Sequence, residues 1–204
     1  SGKTFILVLS WIYSMLAQII VNTKMANIEF AQYLADNCFS NQNINGLISM
    51  TFDCGATITL RFENGRVTDL QHTGFEEVTE TIPAIFMSAQ MRTFESIHNY
   101  LFTRKILKSQ YTTQDALIGE LSKAYKLYDI LYVEGLILKC PVVIPQDVAK
   151  KLIEDFNFKD TIHHIVMNSD ETAFEAVLDS GNKNLATYSK GEQSILNMII
   201  APLR

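Results

Sequence analysis

Residues 47–72, LISMTFDCGATITLRFENGRVTDLQH, decide the fold. Ile48, Met50, Phe52, Cys54, Ala56, Ile58, Leu60 and Phe62 are apolar and all stand at even positions. Between them lie Ser49, Thr51, Asp53, Thr57, Thr59 and Arg61. Successive side chains of a strand point to opposite faces, so period two over this distance predicts a sheet with one buried face. Asp53-Cys54-Gly55 predicts a turn within the run. Asn64-Gly65 predicts a type I′ hairpin, because both positions accept positive φ. Val67, Leu70 and His72 continue into a third strand. The expectation is a three-stranded antiparallel meander over about 47–72.

Upstream, Thr4 to Thr23 reads TFILVLSWIYSMLAQIIVNT, an uncharged run bounded by Lys3 and Lys24. At ~1.5 Å per residue a helix of this length spans about 30 Å, the hydrocarbon thickness of a bilayer. One reading is a single membrane span or anchor. The other is a helix buried in the protein's own core or in an oligomer interface, where polar and aromatic residues in mid-run are ordinary. A targeting signal fits least, because the apolar run is too long and the first residue is Ser1. Trp11 and Tyr13 sit in the middle of the run, away from the ends where interfacial aromatics gather. Ser10, Ser14 and Gln18 recur at four and would line one face against a partner helix. If 4–23 spans, the protein is membrane-associated and the lysines lean towards a cytoplasmic N-terminus; otherwise it is cytoplasmic.

Between these stretches, Ile28, Phe30 and Leu34 predict that the helix continues or restarts over 26–37. The polar cluster Ser40–Gly46 ends it. Beyond the meander, Pro83 can open a helix carrying Ala84, Met87, Met91, Phe94, Ile97 and Leu101 at spacings of three and four. Arg104, Lys105 and Lys108 fall near its end, where cations suit the helix dipole. Thr112 or Thr113 can cap a second helix with Leu117, Leu121, Tyr125, Tyr128 and Tyr132 on one stripe, which Gly135 ends. Pro145 starts a short helix with Val148, Leu152 and Phe156. Thr161–Met167 and Thr172–Leu178 predict a hairpin around residues 168–171. The tail SILNMIIAPLR predicts a last strand or helix. The fold class is α+β: a long N-terminal hydrophobic helix, a three-stranded antiparallel meander, a helical segment and a C-terminal β-hairpin. The expected organisation is residues 1–24 as the apolar helix and 25–204 as a single α+β domain.

Composition limits the function. The chain has 204 residues, 48% apolar and 19% charged, too apolar for disorder and sufficient for a core. Its net charge of −5 argues against nucleic acid as a partner. The three cysteines, Cys38, Cys54 and Cys140, form no CxxC pair, so neither a disulfide scaffold nor a zinc ribbon follows. Cys54 invites a nucleophile reading with His72, His98, His163 or His164 as base. The plainer reading makes Cys54 one more inward residue of an alternating strand. His163 and His164 are adjacent on a strand and point to opposite faces, so they suit one buried and one exposed position better than a shared metal. Glu76, Glu77 and Glu80 form an acidic cluster at the start of a helical segment, read as a solvated face. Arg92, Arg104, Lys105 and Lys108 are surface cations able to touch an anion. No phosphate loop is present, and no cofactor or metal is expected.

Gly46-Leu47-Ile48, Gly55, ITLRFENGRVTDL over Ile58–Leu70 and Gly74-Phe75-Glu76 carry a resemblance. Over about 28–86 the chain resembles the N-terminal domain of PatA-type bacterial response regulators. That resemblance implies a regulatory interaction module without catalysis. With no convergent catalytic constellation and a long apolar segment, the sequence predicts a non-enzymatic protein-interaction or assembly protein, anchored or oligomerised through its N-terminal helix. A soluble cytoplasmic regulatory binding module is the alternative. Other proteins, including a second copy of the chain, are the expected partners, with Trp11, Tyr13, Gln18, Tyr125, Tyr128 and Tyr132 as interaction residues.

Overall fold

The computed structural model describes residues 2–39, 43–81 and 85–203. The fold is α+β, and the chain divides into two compact units, Ser1–Phe86 and Met87–Arg204. This division falls after Phe86, whereas the sequence places its boundary after residue 24.

Unit 1 is built on the meander. Strands β1 (Gly46–Thr51), β2 (Thr57–Glu63) and β3 (Arg66–Thr73) pair antiparallel in the order β1-β2-β3. Thr51 faces Thr57 across the first hairpin, and Glu63 faces Arg66 across the second, with a bulge at Arg61/Phe62. Asn64 and Gly65 take φ of 52° and 78°, the twist that a two-residue hairpin needs. Ile58, Leu60 and Phe62 are buried, while Ser49, Thr51 and Arg61 are exposed. On the polar face, Ser49 bonds Thr59 at 2.8 Å and Thr51 bonds Thr57 at 3.2 Å.

Helices α1 (Gly2–Thr23) and α2 (Ile28–Phe39) belong to the same unit. The helix restarts, because Lys24 takes a φ of 58° and the Asn27 side chain then accepts the Phe30 amide at 2.9 Å. Phe5 and Phe39 meet with ring centroids 4.9 Å apart, which sets the two helices side by side. The Tyr13 hydroxyl donates to the Ile48 carbonyl at 2.5 Å, and the Val67 amide donates to Gln32 Oε1 at 2.5 Å. These bonds tie one helix to β1 and the other to β3. Residues 40–42 of the expected polar turn lie outside the described residues.

Unit 2 contains α3 (Phe94–Lys108), α4 (Gln114–Leu121), α5 (Leu127–Lys139), β4 (Val142–Val143), α6 (Gln146–Phe156), β5 (His164–Met167), β6 (Phe174–Leu178), β7 (Gly181–Asn184) and α7 (Lys190–Ile200). The strands form an antiparallel sheet in the order β4-β5-β6-β7. Its buried residues Val142, Ile165, Phe174, Ala176 and Leu178 share a core with Phe94, Ile97, Leu101, Ile130, Val133, Leu152 and Leu196.

Several boundaries differ from the sequence expectation. The first helix of unit 2 begins at Phe94, not Pro83, because Thr93 caps it and Ser88–Arg92 are held by side chains of α5 and α7. Pro83 and Ala84 lie outside the described residues. The stripe from Leu117 to Tyr132 spans two helices, with a turn over 122–126 in which the Tyr125 amide still bonds the Leu121 carbonyl at 2.9 Å. Gly135 lies inside α5, which runs on to Lys139. The tail is a helix opened by a capping box, Ser189 with Glu192. β4 and β7 have no counterpart in the sequence reading. They are short edge strands completing the predicted hairpin, β5–β6.

Candidate functional site

The acidic cluster and Cys54, distant in the sequence argument, line one cleft of about 560 Å³ together with Gly74, Val78 and Thr79. The β1–β2 loop forms one wall. There the Phe52 amide bonds the Ala56 carbonyl and the Gly55 amide bonds the Phe52 carbonyl, each at 2.8 Å. Gly74 brings the chain back past this loop. Its φ is 76°, and a Cβ there would stand 3.0 Å from the Ala56 Cα, so glycine is required on both counts. Phe75 is buried next to it, 5.8 Å from the Phe52 ring and 6.0 Å from His72. Lys24 Nζ reaches the Val78 carbonyl at 3.3 Å, tying the far wall to the end of α1.

Two expectations are corrected here. Cys54 is exposed at the tip of the turn instead of lying inward, because the turn interrupts the alternation and leaves residue 54 in neither strand. Glu76, Glu77 and Glu80 stand in an irregular segment, not a helical one. Two of the histidines, His98 and His163, have hydrogen-bond partners outside the cleft. His72 Nδ1 is buried beside Phe75, and the His98 ring accepts the Phe174 amide at 2.9 Å. His163 Nε2 lies 2.8 Å from Asp179. His163 and His164 are both exposed, since the first precedes β5 and the second sits opposite exposed Val143. Among the described residues no group of three or more His, Cys, Asp or Glu is arranged to hold a metal. The cleft offers carboxylates to a cation and an accessible thiol.

The named interaction residues are dispersed. Trp11 and Tyr13 are buried in unit 1, and burial pushes the Tyr13 phenol up to about 12. Gln18 is half-buried with its Nε2 unpartnered among the described residues. Tyr132 is buried in unit 2 and donates to Asn197 Oδ1. Tyr125 is half-buried, with its ring edge-on to Tyr100 at 5.0 Å, and Tyr128 is also half-buried. A partner meeting the folded units touches little of Trp11, Tyr13 or Tyr132. Exposed apolar side chains lie elsewhere: Ile6 (63%) and Leu7 (58%) on the first turns of α1, Phe102 and Ile106 on α3.

One cluster escaped the sequence reading. Arg104, taken as a surface cation, is buried and pairs with Glu134 through Nε–Oε1 at 2.6 Å and Nη2–Oε2 at 3.0 Å. The Tyr100 hydroxyl donates to the same carboxylate at 2.8 Å. Burial and the Glu134 charge push the Tyr100 phenol far up, so it stays a donor. Burial opposes the charge on Arg104, but the bond to Glu134 outweighs it and holds the guanidinium above its ordinary value. Lys108 bonds Glu171 at 2.9 Å, and Lys105 lies 3.8 Å from Asp170, so these cations fasten the β5–β6 turn to α3. A signal was available: residue 104 falls three after Leu101 and seven after Ile97, on the buried stripe. No family model, no curated protein and no solved structure matches this chain.

Proposed function

We propose that the chain is a non-enzymatic protein-interaction and assembly module of regulatory type, self-associating through the amino-terminal end of α1. The observation that carries this reading is the division of labour along one helix. Val8, Leu9, Trp11, Ile12, Tyr13, Leu16, Ala17, Ile20 and Val21 are buried within unit 1. Ile6 and Leu7, immediately before them, are mostly exposed and belong to the same apolar run. The helix is long and apolar enough to cross a bilayer, but half of the qualifying stretch is already covered by protein. The covered half has no need of lipid, and an assembly role for the remaining exposed end accounts for the pattern. The resemblance of 28–86 to a PatA-type regulatory domain supports the regulatory part.

Sedimentation velocity of the full chain in detergent-free buffer, with flotation on anionic vesicles, tests the proposal. The expected result is a concentration-dependent oligomer that becomes monomeric in I6E/L7E and does not float. A monomer at tens of micromolar overturns assembly. Flotation abolished by the same double substitution favours the anchor reading instead.

A further inference from the structure

Asp129 is the one fully buried acidic side chain among the described residues, 1% exposed in the first turn of α5. Its carboxyl is hydrogen-bonded by Ser88, and its Oδ1 has no partner among the described residues. Ser88 belongs to the stretch 87–93, which opens unit 2 directly after the division at Phe86. This stretch is neither helix nor strand, and side chains hold it. Asn197 Nδ2 donates to the carbonyls of Met91 at 2.7 Å and Arg92 at 3.3 Å, and the Phe94 amide donates to Gln193 Oε1 at 2.9 Å. The Met91 amide turns back to Ser88, 3.2 Å from its carbonyl and 3.3 Å from its hydroxyl. Asn197 and Gln193 do not ionise. Asp129 is the member of the clamp that does.

We propose that Asp129 is a proton-operated latch, seating residues 87–93 on unit 2 while its carboxyl is neutral and releasing them when the carboxyl ionises. A neutral carboxyl needs few partners, and the Ser88 hydroxyl supplies one. A carboxylate seeks several donors, so a buried one with a single hydroxyl is poorly solvated. Opening the 87–93 stretch admits water to the charge, and the proton leaves to solvent. Burial is the larger influence on this group, and the Ser88 bond opposes it. Tyr132, one turn along α5, faces Asn197, and burial raises its phenol, so it stays neutral where a carboxyl titrates. Burial raises Asp129 above the ordinary carboxylate value. The closed form is therefore favoured in acid and loosens as pH rises through the raised value. Release frees residues 87–93 from α5 within unit 2, so the seating of this stretch is governed by pH.

Amide exchange on the full chain between pH 4 and 8, expressed as protection factors for Met91 and Phe94, tests the latch. Asp129→Asn is measured alongside, and carbon-13 NMR follows the Asp129 carboxyl in the wild type. Protection is expected to fall by up to about tenfold per pH unit across the carboxyl titration, and to stay flat in Asp129→Asn. Ser88→Ala should lower protection at every pH. Parallel pH profiles in wild type and Asp129→Asn overturn the proposal, as does a carboxyl that titrates near 4. If Asp129→Asn does not fold, the wild-type data decide: coincident midpoints of titration and protection support the latch, and separate ones overturn it.

Discussion

His98 has an ordinary side chain in an extraordinary position. Its ring accepts a backbone amide from β6 and lies 6.1 Å from Phe94 and 6.5 Å from Phe174. Burial lowers its pKa to about 4. An unfolded histidine binds its proton near 6.5, so between 6.5 and 4 the unfolded chain holds a proton that the native one refuses. Stability from this group is complete above pH 6.5 and declines as pH falls towards 4. His98→Gln keeps an acceptor for Phe174 and should flatten that acid limb of a urea-denaturation series; an unchanged limb contradicts the assignment. Glu134 is the second sensitive position. Glu134→Gln leaves buried Arg104 with only the more distant Glu171 carboxylate, 3.8 Å from Nη1, and should cost unit 2 about 3 kcal/mol in denaturant melts. Neither effect was legible beforehand, because burial of a single charged or titratable residue depends on which stripe of its helix faces the core. The same reason hid the burial of Asp129, Gln193 and Asn197.

Among elements, the meander was the most legible, since strict alternation and Asn-Gly turn chemistry are local signals that packing did not override. Helix limits were less so. Met87 and Met91 continue the spacing of Ile97 and Leu101, yet Met91 is buried in irregular chain, showing that apolar periodicity marks burial before it marks helix. The break between α4 and α5 carries neither Gly nor Pro; there the Ser122 hydroxyl bonds back to the Gly119 carbonyl at 2.8 Å, competing with the helix ladder. α1 illustrates the limit of a length argument, because a core helix and a membrane span share length and hydropathy. Its removal has a clear consequence. A chain starting at Met25 loses the cover of Tyr13, Leu16 and Ile20, and limited proteolysis should cut the meander rapidly while α3–α7 persist. Leu16→Ala in the full chain should cost unit 1 about 3 kcal/mol.

At the scale of the molecule, the chain divides into two units, and among the described residues the core built on α3–α7 draws on residues after Phe86. Substitutions should sort accordingly, with Leu16→Ala changing exchange protection in 2–81 and Glu134→Gln changing it in 87–203. The candidate site was half legible: Cys54 and the acidic cluster were singled out, but their meeting in one cleft depends on Gly74, whose positive φ no spacing rule encodes. Of the residues named for interaction, Trp11, Tyr13 and Tyr132 are buried, while Ile6 and Leu7, which periodicity did not single out, are exposed. The central claim is that the buried face of α1 is covered within its own unit. Amide exchange across α1 in detergent-free buffer measures it directly. Leu9 to Val21 are predicted to exchange as slowly as Ile58 to Phe62, with no change on adding vesicles. Fast exchange in buffer that slows only when vesicles are present would contradict the account.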